Sequence, residues 1–310
     1  VTQHRTRGRA GASGAQFLDP KILARIDNLE LLSRTVVDGF VAGLHRSPYM
    51  GLSLDFAEHR AYMPGDDIRN IDWKLFARSD RHYVKLYEAE TNATFGVLLD
   101  VSRSMSYKSP GAEVSKLDYA RYLAACLTYF SKQQRDRVAL VTFDSDIVDY
   151  VPPSVRHLDL ILHTLDKVEA GRPGNLTAPL LRCAEIFQRK GILALISDFY
   201  QEPEEVLHAV RFLRGRGHDV VAFHVMDPAE LDFPFDAASS FEDMESGERI
   251  PLVPRNLKER YRSVVEAHIQ ELDRRFKGDR VDYMLLDTSK PLDHALFRYL
   301  NLREKRSRVR

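Results

Sequence analysis

The run Thr94-Phe95-Gly96-Val97-Leu98-Leu99-Asp100 constrains this chain more than any other stretch: a short apolar segment that ends on a carboxylate. So brief and continuous an apolar run reads as a strand buried on both faces, the kind found in parallel sheets. Asp100-Val101-Ser102-Arg103-Ser104 then lies on the loop leaving the strand's carboxyl end, where open α/β sheets bind their ligands. One carboxylate (Asp100) and two hydroxyls (Ser102, Ser104) are hard oxygen donors, suited to Mg²⁺ rather than to zinc or copper.

The pattern after residue 94 is regular. Strands are expected over 94–100, 137–143, 147–151, 192–197, 219–225 and 281–287, with helices over 114–133, 155–168, 177–190, 204–216, 256–276 and 291–301. Such alternation builds βαβ units, whose right-handed crossovers cover a mostly parallel sheet with helices. Residues 230–253 read as a loop and a small hairpin turning at Ser246-Gly247. Upstream, Asp19-Pro20 opens a helix, as N-cap and first helical residue, that continues through Ile22, Leu23, Ile26, Leu29 and Leu32. Residues 35–93 are short apolar pieces broken by turns and read as β-rich, with room for one short helix around Asp72–Ala77. The expected organisation is a disordered tail over 1–18, a helix and β-rich region over 19–93, an α/β core over 94–228, a C-terminal hairpin, helix, strand and helix over 229–302, and a basic tail over 303–310.

Lys and Arg total 45, as do Asp and Glu, so no global field points to nucleic acid or an anionic membrane. Cys126 and Cys183 are expected as reduced, packed thiols. No apolar window approaches the length of a membrane span, and the Arg-rich opening lacks the apolar core of a signal peptide. These features lead to the expectation of a cytoplasmic, soluble protein.

A second aspartate, Asp198, follows Leu195-Ile196-Ser197 at the end of a later strand. Neighbouring parallel strands lie ~4.8 Å apart, so Asp100 and Asp198 can reach one site. Asp and Ser after a strand serve equally as turn formers and helix caps, and the residues alone leave both readings open.

The Asp-x-Ser-x-Ser loop, the βα alternation and Ile196-Ser197-Asp198 resemble a von Willebrand factor type A domain and its metal-ion-dependent adhesion site. The block Tyr62-Met63-Pro64-Gly65-Asp66-Asp67-Ile68-Arg69-Asn70-Ile71-Asp72-Trp73-Lys74 with Ala77-Arg78 is similar to the signature of the bacterial family known as domain of unknown function 58. Tyr87–Glu90, Phe223–Pro228 and Leu286–Ser289 fit that family too. The resemblance implies a Rossmann-like von Willebrand factor A-like core with Asp100, Ser102, Ser104 and Asp198 as ligands to Mg²⁺. It also implies a non-enzymatic adaptor accompanying a MoxR-type AAA+ ATPase in the maturation or remodelling of a client protein. One ligand departs from the pattern. In Gly171-Arg172-Pro173-Gly174-Asn175-Leu176-Thr177 the place of the family's threonine holds Gly174, leaving a gap for water or Asn175, with Thr177 as cap of the next helix.

Asp67, Arg69, Asp72, Trp73, Lys74 and Arg78 cluster closely enough to form either a salt-bridged edge or a partner-docking surface anchored by Trp and Arg. Asp144 and Asp146 read as a hairpin turn, with the rim beside Asp100 as the alternative, and the eleven histidines include no His-x-x-x-His pair. No phosphate-binding loop, dinucleotide fingerprint or serine elbow is present. The enzymatic rival is a Mg²⁺-dependent phosphohydrolase with Asp100 as nucleophile. Such a site wants a second carboxylate as acid/base at position 102, and Ser102 is a poor proton shuttle. No catalytic residue is therefore assigned.

Overall fold

Described in a computed structural model are residues 20–26, 28–45, 59–62, 75–76, 81, 83–85, 93–237, 239–244, 246–252, 254, 257–292, 295–297 and 299. In chain order the elements are α1 (Pro20–Leu23), α2 (Leu29–His45), β1 (His59–Ala61), β2 (Tyr83–Lys85), β3 (Thr94–Asp100), α3 (Lys116–Gln133), β4 (Arg137–Phe143), β5 (Ile147–Ser154), α4 (Leu158–Lys167) and α5 (Thr177–Ile186). They continue with β6 (Gly191–Ser197), α6 (Pro203–Gly215), β7 (Asp219–Met226), α7 (Pro228–Asp232), β8 (Ser239–Glu242), β9 (Arg249–Leu252), α8 (Lys258–Gly278) and β10 (Asp282–Asp287).

The main sheet has six strands in the order β10-β7-β6-β3-β4-β5. Every neighbouring pair is parallel except β4–β5. All seven residues of β3 are buried, because side chains alternate between two covered faces. Val97 and Leu99 pack with α2, α3 and α4, whereas Leu98 packs with α5 and α6 and with Leu272 and Phe276 of α8. Burying one such leucine stabilises the fold by ~1.5–3 kcal/mol. The α/β architecture with a mostly parallel, helix-flanked sheet is thus the one expected. From β3 the chain adds β4 and β5 on one side, then returns to add β6, β7 and β10 on the other. That reversal makes the gap between the carboxyl ends of β3 and β6 the topological switch point, where such sheets form a crevice.

Several expectations are corrected. The first helix is broken after Leu23 and restarts at Leu29, where the Asn28 side chain accepts from Leu31 N at 2.9 Å as a cap. It then runs to His45, through residues 35–45 that were expected to be β-rich. The short apolar pieces that read as β-rich are instead helical here: Val36 and Val37 are buried against the α3 side of the core, and burial outweighs a small propensity. Strand β5 passes through Pro152 and Pro153 to Ser154 instead of stopping at residue 151. It is an edge strand with register shifts, the place where a sheet tolerates proline. Helix α5 ends at Ile186, not at 190. Residues 230–232, expected as loop, belong to the short helix Pro228–Asp232. The expected β8–β9 hairpin is present, with Gly247 at φ 74°, a left-handed conformation that suits glycine. No helix among the described residues is long and apolar enough to cross a membrane. Asp67, Arg69, Asp72, Trp73, Lys74 and Arg78, and the tails over 1–18 and 303–310, lie outside the described residues.

Candidate functional site

Leu99 of β3 pairs with Ile196 of β6, so Asp100 and the Ser197-Asp198 pair emerge side by side at the switch point. Asp100 is buried, and both its oxygens accept hydrogen bonds: Oδ1 from Ser102 N at 2.9 Å, Oδ2 from Ser197 Oγ at 2.6 Å. The first bond closes a tight Asx turn, which throws the chain into the single 3-10 turn Arg103–Ser106. That turn brings Ser102 Oγ within 3.2 Å of Ser104 Oγ. Asp100, Ser102 and Ser104 therefore converge. Burial, together with the charge of Asp198, pushes the Asp100 carboxyl up to about 7.

Asp198 has a different companion, one that local reading of the sequence does not reveal. Lys116, fully buried, donates from Nζ to Asp198 Oδ2 at 2.8 Å and to Glu230 Oε1 at 2.8 Å. Its ammonium also lies 4.5 Å from the Tyr200 ring centroid. Burial alone draws the lysine's pKa down, but the two carboxylates outweigh it and hold it above its ordinary value. Glu230 is fixed from its other oxygen: Oε2 accepts from Asp227 N at 2.9 Å in the capping box of α7. Lys116 itself opens α3, whose capping box joins Ser115 and Asp118. A lysine in a first helical turn opposes the helix dipole, and that local oddity is the one signal the sequence offered.

The loop expected to supply a threonine is pressed against Ser102. Ser102 and Arg172 form a backbone bridge, Arg103 N donates to Arg172 O at 2.8 Å, and Gln201 Nε2 donates to Gly174 O at 3.3 Å. A Cβ on Gly174 would stand 2.4 Å from Ser102 Cβ. Gly174 is required here by close approach, and no side chain fits at that position in this arrangement. Asn175 is not free to fill the gap, because its Oδ1 accepts from Thr177 N at 2.9 Å and from Ala178 N at 3.4 Å. Asn175, and not Thr177 as expected, thus caps α5. Asp144 and Asp146 form a turn closed by Asp146 N to Asp144 Oδ1 at 3.0 Å, with Asp146 also paired to Arg182. His224 is a buried strand residue whose Nδ1 meets the Tyr283 hydroxyl at 2.7 Å.

The rim opens into a cleft of about 570 Å³ whose lining includes an aromatic wall. Phe233 stacks on Tyr261 with centroids 4.4 Å apart and on Phe241 at 5.6 Å, and Phe235 meets Phe241 edge-on at 5.3 Å. Asp100, Ser102, Ser104 and Asp198 also line this cleft, and Glu230, Glu242 and Asp243 add further carboxylates. As donors for a hard cation, Asp100, Ser102 and Ser104 fit in kind: a buried carboxylate answered only by neutral groups, with two convergent hydroxyls. Asp198 fits less well, because Lys116 already holds it.

Residues 58–271 match the family described as protein of unknown function DUF58. The chain belongs to this DUF58 family. An uncharacterized protein of Mycobacterium bovis is 26% identical over 293 residues, spanning 93% of this chain and 91% of that protein. An uncharacterized protein of Mycobacterium tuberculosis matches to the same extent. Among solved structures, the conserved hypothetical protein BatB from Bacteroides thetaiotaomicron is 17% identical with a TM-score of 0.48, covering 69% of this chain and 99% of that one. The von Willebrand factor A domain of SpRpn10 gives 10% identity and a TM-score of 0.38, over 66% of this chain and 93% of that one.

Proposed function

We propose that this DUF58 member is a non-enzymatic protein-binding adaptor that presents the cleft at the carboxyl ends of β3 and β6 to its partner. The observation that carries the reading is the composition of that cleft. Oxygen donors and an aromatic cluster line the same cleft, a pairing suited to gripping one polar and one apolar group of a partner segment. Catalysis by Asp100 is disfavoured by its surroundings. Both carboxylate oxygens accept hydrogen bonds, the group is pushed toward its protonated form, and position 102 holds a hydroxyl in place of an acid. The partner class follows from the resemblance: a MoxR-type AAA+ ATPase, acting with the adaptor on client proteins in the cytoplasm. Asp100, Ser102 and Ser104 would hold Mg²⁺, which when bound supplies a positive charge for a partner's carboxylate.

The test is capture of a purified MoxR-type ATPase by the tagged chain, compared among wild type, Asp100→Ala and Tyr261→Ala, each with and without EDTA. Retention by wild type and a loss of about tenfold or more in Tyr261→Ala support the reading. Equal capture by all three proteins removes the cleft from the interface. Mg²⁺-dependent hydrolysis of an aryl phosphate, abolished in Asp100→Ala, would overturn the non-enzymatic reading.

A further inference from the structure

Lys116 is the feature of this site whose role the proposed function leaves unused. Among the described residues it is the only lysine or arginine buried from solvent. Lysines are almost never fully buried unless paired, and this one has its ammonium surrounded: Asp198 and Glu230 each at 2.8 Å, and the Tyr200 ring at 4.5 Å. The two carboxylates it reaches, Asp198 and Glu230, both line the cleft, as does Asp100. A divalent ion drawn to Asp100, Ser102 and Ser104 would meet at Asp198 a carboxylate already committed to a fixed positive charge. Two cations compete for that one group at close range.

We propose that Lys116 is the resident cation of this site, a tethered ammonium that supplies at Asp198 and Glu230 the charge balance a bound divalent ion would otherwise provide. The strand-end rim then keeps its shape without metal, and Mg²⁺ is confined to a weak half-site on Asp100, Ser102 and Ser104. Glu230 transmits the consequence. Because it closes the capping box of α7, the ammonium also pins the segment that leads to the aromatic wall at Phe233. The proposal rests on the rim being the binding site, but its readout is ion uptake, so it can fail while partner capture succeeds, and the reverse.

The experiment titrates Mn²⁺ and Mg²⁺ into wild type, Lys116→Met and the double variant Lys116→Met/Asp198→Asn by calorimetry, alongside thermal melts in EDTA and in excess Mg²⁺. Wild type is expected to bind weakly, with a Tm indifferent to Mg²⁺. Removing the ammonium frees Asp198, so Lys116→Met should bind Mn²⁺ at least about tenfold tighter and gain a Mg²⁺-dependent rise in Tm. The double variant should lose that gain. Should Lys116→Met unfold in EDTA, recovery of its fold by Mg²⁺ supports the proposal equally well, and Lys116→Gln provides a second, polar replacement for the same comparison. Micromolar Mg²⁺ affinity in wild type overturns it. So does an absence of any gain in the variants, or their failure to fold with or without the ion, which would make Lys116 a structural staple only.

Discussion

Asp100 is the last residue of β3 and Asp198 directly follows β6, and the two strands are direct neighbours. Their surroundings are opposite. Asp100 is answered by a backbone N–H and a hydroxyl, and burial beside another carboxylate pushes it up to about 7. Asp198 is answered by an ammonium delivered from the start of α3. The strands place the two carboxylates, but the loops and helix ends decide what each one is. One aspartate is a charge in search of a counterion and the other already has one.

That contrast can be broken most severely at the lysine. Removing one partner of a buried ion pair leaves uncompensated charge, so Lys116→Met should lose about 3–5 kcal/mol of unfolding free energy, measured by urea denaturation in EDTA. Asp100→Asn should act in the opposite direction. Folded Asp100 holds its proton more tightly than an unfolded carboxyl, whose ordinary value is 3.8. The folded state is therefore favoured most in acid, and stability falls as pH rises from about 4 to about 7. At pH 8 in EDTA the asparagine variant should be more stable than wild type by roughly 2–4 kcal/mol, with a flatter pH profile. A profile identical to wild type would mean that Asp100 is not the strained member of the pair.

Smaller effects sharpen the picture around Ser102. Gly174→Thr places a Cβ where Ser102 stands and should cost about 1–3 kcal/mol through overpacking. It should bring no gain in Mg²⁺ affinity by calorimetry, and tighter binding would show that the loop can move aside to seat a ligand. Asn175→Ala removes the cap of α5 and should lower stability by about 1 kcal/mol in thermal or urea melts. Thr177→Ala, tested in the same way, should change little.

What the sequence conveyed and what it withheld divide along range. The β3 run and the Asp100, Ser102 and Ser104 loop are local patterns, so strand, turn and donor set could be read from consecutive residues. The adjacency of Asp198 also followed, because parallel order constrains strand ends. Lys116 meets Asp198 across 82 positions and Glu230 across 114, and no periodicity encodes such a meeting. Residues 35–45 went the other way: short apolar pieces read as β-rich, and burial of Val36 and Val37 in the core carries the helix through them. Gly174 was legible as a missing side chain but not as a filled space, since the pressure comes from Ser102, 72 positions away.

Strand β5 has one further consequence. Among the described residues it forms the outer edge of the sheet beyond β4, with Pro152 and Pro153 in succession. Neither proline has an N–H to offer, and irregular register twists the strand besides. A foreign strand approaching from this side finds its ladder interrupted, so the molecule resists both extension into edge-to-edge aggregates and recognition by strand addition there.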